Sequence, residues 1–192
     1  MLVFLKLGGS LITDKTKPYT ARLDIIERIA KEIKEILEEG MDIKILVGHG
    51  GGSFPHVSAK KYETHKGFVR EDSKSGFCMV QNDASKLNRI VVETFLKVGL
   101  KAISFQPSAG ALAESDKITE WNIQNIEILL REGIIPIVYG DVCLDIKKGC
   151  CIISTEEIFK YLAEKLKPEK VVLAGKSMVY TKDPFKFKDA EL

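Results

Sequence analysis

The stretch ILVGHGGGSFPH (residues 45–56) joins a run of apolar residues to three consecutive glycines and ends on a histidine. Glycine tolerates backbone angles that other residues avoid, and without a side chain it lets successive N–H groups point at one anion. Gly50, Gly51 and Gly52 therefore predict a cradle for a phosphate or carboxylate group. A plain strand-to-helix turn is the alternative that the stretch alone leaves open.

The composition around this stretch is that of a globular protein. The chain has 192 residues, 45% of them hydrophobic, so we expect one domain of two lobes with a real core. Its 29 Lys and Arg nearly balance its 27 Asp and Glu, which offers no strong field for nucleic acid or an anionic membrane. The opening MLVFLKLGGS is interrupted by Lys6, and no apolar run is long enough to span a bilayer. The sequence therefore predicts a soluble, cytoplasmic protein without nucleic-acid or membrane partners.

The cysteines show no metal-binding spacing. Cys78, Cys143, Cys150 and Cys151 form no C-x-x-C motif, and an adjacent pair cannot easily form an ordinary disulfide or close a zinc site. We expect reduced and mostly packed thiols, and we assign no residue as a metal ligand.

Short branched or leucine-rich runs alternate along the chain with longer amphipathic stretches, which is typical of crossover helices on a largely parallel sheet. The predicted strands are 2–7, 42–48, 101–106, 134–141 and 170–175. The predicted helices are 23–40, 75–98, 119–133 with Thr119 as its cap, and 155–166. Residues 142–154 are predicted to form a hairpin that turns at Lys148 and Gly149.

Two glycine-rich loops follow predicted strands, KLGGSLITDK (6–15) after the first and the opening stretch after the second. In open α/β sheets, ligands bind beyond the carboxyl ends of the strands, beside helix N-termini. Neither loop has Walker A or Rossmann spacing. Lys6 and Lys15 flank the first loop and could both point into a cleft that the two loops share. Phosphoryl transfer needs such an arrangement, because positioned cations and N–H donors stabilise the migrating group.

Further motifs occur along the chain: KLGGS (6–10), Lys15, GHGGGSFPH (48–56), YGD (139–141), IIS (152–154) and VYTKDP (179–184). In this order they resemble the amino acid kinase superfamily, and most of all its isopentenyl phosphate kinases, over nearly the whole chain. A histidine after the glycine triplet is typical of isopentenyl phosphate and fosfomycin kinases rather than of acetylglutamate or uridylate kinases. The resemblance implies an α/β fold, a three-layer αβα sandwich with a largely parallel open sheet.

The resemblance also implies a reaction and a set of site residues. ATP would donate its γ-phosphoryl group to isopentenyl phosphate, with Mg²⁺ as the metal ion, and the products would be isopentenyl diphosphate and ADP. The resemblance places this reaction in isoprenoid biosynthesis and implies that the enzyme is a homodimer. The residues implied in catalysis are Lys6, Lys15 and Glu156. Those implied in nucleotide binding are Lys6, Gly8, Gly9, Ser10, Gly52 and Tyr180, and those implied in acceptor binding are Gly51, His56 and Thr155.

The tail of such an acceptor needs an apolar slot beside the phosphate grip. Phe77, Met79 and Val80 lie early in the long predicted helix and are candidates for that slot. Simple core packing is the alternative for an aromatic and methionine cluster at helical spacing.

The chain departs from the family pattern in its C-terminal part. Ser-Thr-Glu-Glu at 154–157 replaces the usual Ser-Gly-Asp-Asp, and Gly175, Ser177 and Met178 stand where relatives have an Asp-x-Asp-Gly stretch. The family also normally continues beyond Leu192. We therefore expect an acceptor-binding lobe at about 1–153 and the start of a nucleotide-binding lobe at 154–192, incomplete on its nucleotide side. The alternative function is a non-catalytic or truncated relative that binds an alkyl phosphate or phosphonate without efficient phosphoryl transfer.

Overall fold

The computed structural model describes residues 1–175, so Tyr180 and the 179–184 motif lie outside the described residues. In chain order the strands are β1 (Leu2–Leu7), β2 (Lys44–His49), β3 (Ala102–Ser104), β4 (Leu112–Glu114), β5 (Lys117–Glu120), β6 (Ile135–Tyr139), β7 (Asp141–Asp145), β8 (Gly149–Ile153) and β9 (Lys170–Ala174). The α-helices are α1 (Gly9–Ile12), α2 (Leu23–Glu38), α3 (Pro55–Tyr62), α4 (Ser73–Lys97), α5 (Gln124–Arg131) and α6 (Thr155–Leu166). Thr64–Lys66 and Pro107–Ala109 form short 3₁₀ turns.

Two sheets organise these elements. The strands β3, β6, β2, β1 and β9, in that order, form a five-stranded sheet in which every neighbouring pair is parallel. A smaller sheet has the order β5, β4, β7, β8 and contains two antiparallel hairpins. Lys6 of β1 lies beside Gly48 of β2 in the parallel register. The loops that follow these two strands therefore leave the same edge of the large sheet side by side.

Alternation of side chains along the strands of the large sheet produces two cores. One face buries Leu7, Val47 and Ile137 against α2 and α4. The other face buries Phe4, Leu46 and Val138 against α5, α6 and the inner face of the small sheet. Helices therefore cover both faces of a parallel sheet, and the predicted three-layer α/β sandwich is confirmed.

Local sequence signals place most of the elements correctly. Gly40, with φ of 77°, follows the end of α2, and the Oγ of Ser154 accepts the Glu157 N–H at 3.2 Å to cap α6. The predicted hairpin at 142–154 is present as β7 and β8. Cys143, Cys150 and Cys151 are buried and Cys78 is exposed, and all four are free thiols, as expected.

The predicted helix at 119–133 is wrong in its first turn. Thr119 lies in β5, where its hydroxyl donates to the Leu112 carbonyl at 3.2 Å across a hairpin that sequence reasoning missed. The helix begins only at Gln124, whose N–H is held at 3.0 Å by the side chain of Asn122. The helix α3 was also missed, and the strand predicted at 101–106 is only three residues long. Within residues 1–175, no helix is both long and apolar enough to cross a membrane.

Candidate active site

The two glycine-rich loops pack directly against each other. A Cβ on Gly9 would lie 2.5 Å from the Gly52 nitrogen, so neither loop could approach the other with a side chain at this point. Gly52 also has φ of 56°, which favours glycine. Between them, the buried hydroxyl of Thr13 donates to the Gly9 carbonyl at 2.6 Å and accepts the Ser53 N–H at 3.0 Å. The two loops are thus held in close backbone contact, but within residues 1–175 Lys6 and Lys15 do not line one cavity: Lys6 pairs with Glu156 at the edge of one, and Lys15 lines another.

The first loop presents free N–H donors beside β1. The Gly8 N–H donates to the Ala174 carbonyl of β9 at 2.8 Å, which fixes the start of the loop. The N–H groups of Gly9 and Ser10, at the start of α1, have no acceptor within residues 1–175. Such N–H groups at a helix start can bind phosphate oxygens.

A cavity of about 240 Å³ lies beside the second loop, where the two sheets meet. Its lining includes the exposed polar residues His56 and Glu156 and the apolar residues Val80 and Ile152. Its full lining is Gly50, Gly51, Pro55, His56, Ala59, Val80, Gly140, Asp141, Ile152, Ile153, Ser154, Thr155 and Glu156. We call this cavity the acceptor pocket, after the role that we propose for it below.

Lys6 and Glu156 form an ion pair at the edge of the acceptor pocket. The Lys6 side chain is only 16% exposed, whereas that of Glu156 is 63% exposed. Burial opposes ionisation of Glu156, but hydrogen bonds from Lys6 and from its own N–H outweigh it, so the pKa of this carboxyl lies below its ordinary value. The carboxylate therefore stays charged and holds the Lys6 ammonium at the end of β1.

His56 stands between the acceptor pocket and a second cleft of about 410 Å³ that contains Lys15. Burial and, to a smaller extent, the charge of Lys15 lower the pKa of His56. The imidazole is therefore neutral near pH 7 and offers one N–H donor. The loop that carries Lys15 is anchored by Tyr19, whose hydroxyl donates to the buried Asp83 of α4 at 2.8 Å.

Thr155 and Asp141 form the inner wall of the acceptor pocket. The Thr155 hydroxyl donates to the His49 carbonyl at 2.6 Å, so the side chain that replaces the family's glycine is engaged with the end of β2. Burial raises the pKa of Asp141 to about 6, although N–H groups of Ser108 and Val142 donate to its carboxylate. The wall thus combines a satisfied hydroxyl with a carboxyl group that titrates near neutral pH.

The structure brings most of the predicted site residues together. Six of them line the acceptor pocket or its edge, namely Lys6, Gly51, His56, Val80, Thr155 and Glu156. Gly8, Gly9, Ser10 and Gly52 form the adjoining glycine loops. Phe77 lies outside the pocket and packs edge-on against Phe68, with ring centroids 5.8 Å apart, and Met79 is exposed on α4. Tyr180 lies outside the described residues.

Sequence reasoning gave no role to Asp141 or to the buried His49. The signal for Asp141 was present in the YGD motif, since a carboxylate directly after a strand-ending glycine lies at the ligand-binding edge of a parallel sheet. The burial of His49 depends on α4 and β6 packing over it, and neither is close to it in the sequence.

One group of potential metal ligands lies away from these clefts. Oxygen and sulfur atoms of Asp116, Asp145 and Cys151 lie within 4.8 Å of one another. Asp145 already accepts N–H groups of Asp116, Lys147 and Lys148, and Asp116 pairs with the Lys148 ammonium at 2.6 Å. These contacts stabilise the two turns of the small sheet.

Known proteins match the chain over its length. A model of the amino acid kinase family matches residues 1–192. Isopentenyl phosphate kinase of Methanocaldococcus jannaschii is 36% identical over 182 residues, which cover 91% of this chain and 68% of that protein. The enzyme of the same name from Methanothermobacter thermautotrophicus is 36% identical and aligns with all of this chain and 73% of its own length.

Solved structures agree with the sequence matches. A crystal structure of isopentenyl phosphate kinase superposes on all of this chain with a TM-score of 0.89 at 36% identity and is covered over 79% of its own chain. A substrate complex of isopentenyl phosphate kinase superposes with a TM-score of 0.81 at 31% identity, over all of this chain and 76% of the other.

Proposed function

This chain belongs to the amino acid kinase family, and from that premise we propose that it transfers the γ-phosphoryl group of ATP to isopentenyl phosphate. The relatives that are 36% identical to it are isopentenyl phosphate kinases. The products would be isopentenyl diphosphate and ADP.

The acceptor pocket is the observation that carries this proposal. Its lining offers the His56 side chain and the Gly51 N–H for a phosphate, and Val80, Ile152 and Ile153 for a short hydrocarbon tail. Its volume of about 240 Å³ is below the roughly 300–1,000 Å³ of pockets for drug-sized ligands. A small alkyl phosphate fits this combination of polar groups and apolar side chains better than an amino acid or a nucleotide does.

Different residues around the pocket have different roles in the proposed reaction. An oxygen of the acceptor phosphate attacks the γ-phosphorus of ATP. The bond between that phosphorus and the oxygen that bridges the β- and γ-phosphates breaks, and ADP leaves with the bridging oxygen. The acceptor is already an anion, so no strong general base is needed. We assign the N–H groups of Gly9 and Ser10 to the phosphates of ATP, and Lys6 and Lys15 to the charge of the transferring group.

We propose that His56 and the Gly51 N–H bind the acceptor phosphate. His56 is a donor near pH 7 and stands where the two clefts meet, so it can hold the acceptor oxygen toward the nucleotide side. Such positioning accelerates transfer because the reacting atoms are aligned before the chemical step.

We propose that Mg²⁺ enters with ATP. Glu156 is ion-paired to Lys6, and both oxygens of Asp141 already accept N–H groups, so neither offers a free carboxylate. The donor set therefore suits a Mg²⁺ ion held mainly by phosphate oxygens and water. That ion would neutralise charge on the phosphates.

The departures at 154–157 favour a second candidate, a relative that binds an alkyl phosphate or phosphonate without efficient transfer. The Glu156 side chain is one methylene longer than the family's aspartate, so the Lys6 ammonium that pairs with it can occupy a different position from that of the corresponding lysine in relatives. This candidate shares the acceptor pocket and differs only in turnover.

A panel assay separates the two candidates. ADP release is measured with isopentenyl phosphate, other alkyl phosphates, fosfomycin-like phosphonates and amino acids as acceptors. We expect turnover to be fastest with isopentenyl phosphate. Binding of isopentenyl phosphate without ADP release would favour the second candidate, and turnover of an amino acid alone would contradict both.

We also propose that the protein is a homodimer, as the family resemblance implies. Large apolar residues are exposed on the single chain, among them Met79 and Leu96 on α4 and Ile103 on the edge strand β3. Light scattering of the purified protein would measure its mass directly.

A further inference from the structure

His49, the last residue of β2, is fully buried directly behind the glycine triplet. Its ring stacks on Tyr139 with centroids 5.6 Å apart and an interplanar angle of 10°. Its Nδ1 lies 3.2 Å from the Gly50 carbonyl oxygen, and its Nε2 lies 3.1 Å from Nδ2 of Asn88 on α4. Both ring nitrogens are therefore engaged, and the proposed reaction uses neither.

These contacts fix one tautomer of the ring. The Gly50 carbonyl can only accept a hydrogen bond, so Nδ1 carries the proton, and Nε2 accepts from the Asn88 amide. Burial lowers the pKa of His49 to about 4, so the ring is neutral in the range where kinases work. His49 thus holds the Gly50 carbonyl in one direction.

The direction of that carbonyl determines where the next N–H points. In a planar trans peptide, the carbonyl oxygen of one residue and the N–H of the next lie on opposite sides. The Gly51 N–H therefore points away from the His49 ring. Gly51 lines the acceptor pocket, and its N–H has no acceptor within the described residues 1–175. Because glycine rotates freely, the local backbone alone would not hold this N–H in place.

The main chain at the same point joins the surrounding elements. The His49 carbonyl accepts the Thr155 hydroxyl at 2.6 Å and the Gly140 N–H at 3.0 Å, and the Gly50 N–H donates to the Leu7 carbonyl at 3.0 Å. The end of β2 is thereby fixed to β1, to the β6–β7 junction and to the start of α6. The Gly50–Gly51 peptide extends from this fixed point, and only the His49 ring holds its carbonyl among the described contacts.

We infer that His49, oriented by Asn88, is a positioning residue that aims the Gly51 N–H at the acceptor phosphate. This inference rests on the proposed function, because it takes the acceptor pocket to be the site of the alkyl phosphate. It assigns His49 no contact with substrate.

Three variants of the protein test this role through the KM and Kd for isopentenyl phosphate. His49→Phe keeps the stacking on Tyr139 and removes both hydrogen bonds. His49→Asn places an amide nitrogen close to the position of Nδ1 and so retains a donor for the Gly50 carbonyl. Asn88→Leu leaves the imidazole but removes its orienting partner. Leu87→Ala is the matched control, because Leu87 is a fully buried neighbour on the same helix that faces the core.

We expect His49→Phe to raise the KM for isopentenyl phosphate about tenfold, as for the loss of one hydrogen bond. The KM for Mg-ATP should change less than about twofold, since we assign the ATP phosphates to the N–H groups of Gly9 and Ser10 on the other loop. His49→Asn should restore most of the acceptor affinity, and Asn88→Leu should show a smaller rise of roughly threefold. If His49→Phe does not fold, Asn88→Leu and His49→Asn decide the question.

Two results would overturn the inference: an unchanged acceptor KM in folded His49→Phe or in Asn88→Leu, or an equal rise in Leu87→Ala. A wild-type protein that binds isopentenyl phosphate without phosphorylating it would overturn the proposed function instead. The role of His49 would then be decided by the ratio of the Kd values, which calorimetry measures without turnover.

Discussion

At the scale of single residues, His56 is the side chain that we assign to the acceptor phosphate. His56→Ala should raise the KM for isopentenyl phosphate strongly, because a hydrogen bond to a charged group contributes about 1.5–3 kcal/mol. His56→Gln keeps a hydrogen-bond donor, so it should raise this KM less than His56→Ala does. Steady-state kinetics at saturating Mg-ATP would measure both. An equal collapse of kcat with unchanged KM in the two variants would point to acid–base work instead.

His49 and Asp141 give stability opposite dependences on pH. Burial lowers the pKa of His49 from 6.5 to about 4, so in this range the unfolded chain binds a proton that the folded protein does not, and acid destabilises the fold. Burial raises the pKa of Asp141 from 3.8 to about 6, so in that range the folded protein binds the extra proton, and acid stabilises the fold. Each difference corresponds to about 3 kcal/mol at its full extent.

Substitutions should separate the two contributions. His49→Phe removes the acid-destabilising one, so its free energy of unfolding should fall less than that of the wild type between pH 7 and pH 4.5. Asp141→Asn removes the contribution that acid makes favourable, so the free energy of unfolding of this variant should fall more steeply than that of the wild type over the same pH range. Urea unfolding at several pH values measures these slopes. The same slope in wild type and both variants would show that neither group has the shifted pKa.

At the scale of elements, the contact between the two glycine loops is the least tolerant packing in the site. In Gly9→Ala, the new Cβ would lie 2.5 Å from the Gly52 nitrogen and 2.8 Å from its Cα, so one loop must move. We expect the free energy of unfolding to drop by about 1–3 kcal/mol. The KM for Mg-ATP should also rise, because the Gly9 and Ser10 N–H groups move with α1.

Gly110→Ala is the matched control for this prediction. A Cβ at Gly110 would come no closer than 3.5 Å to its nearest neighbour, the Trp121 ring nitrogen, and the φ of Gly110, −159°, lies outside the left-handed region that favours glycine. This variant should keep both its stability and its KM for Mg-ATP. If Gly9→Ala behaves like Gly110→Ala in denaturant unfolding and in kinetics, the two loops are not in the tight contact described here.

At the scale of the whole molecule, residues at the ends of strands from both sheets line the acceptor pocket, and we assign ATP to other loops. Isopentenyl phosphate should therefore bind without ATP, and at 100 times its Kd it should raise the free energy of unfolding by about 2.7 kcal/mol. We expect Mg-ATP alone to bind more weakly, because the Asp-x-Asp-Gly carboxylates of the family are replaced here. Separate calorimetric titrations test this order. Micromolar binding of ATP with no detectable alkyl phosphate binding would reverse our assignment of the two loops.

Much of this fold could be predicted because its signals are local. The strands at β1 and β9, the helices α2, α4 and α6 and the β7–β8 hairpin follow from apolar spacing, capping residues and turn glycines, which act within a few residues. Thr119 shows where this reasoning ends. Threonine is a common helix cap, but the Thr119 hydroxyl donates a hydrogen bond to the Leu112 carbonyl across a hairpin. The pairing of that hairpin depends on neighbouring strands in the small sheet.

The sequence by itself determined the glycine loops, the two lysines and the histidine beyond the glycine triplet, because motif spacing identifies residues that serve one kind of chemistry. Only the tertiary structure decided which side chains surround the acceptor. Val80 faces the pocket while Phe77, three residues earlier on α4, packs against Phe68, a choice made by the way the helix lies against its neighbours. Likewise the environment of His49 exists only once α4 and β6 close over it, since its partners Asn88 and Tyr139 are 39 or more residues away along the chain. Burial and hydrogen bonding between distant segments depend on packing, which a local sequence pattern does not specify.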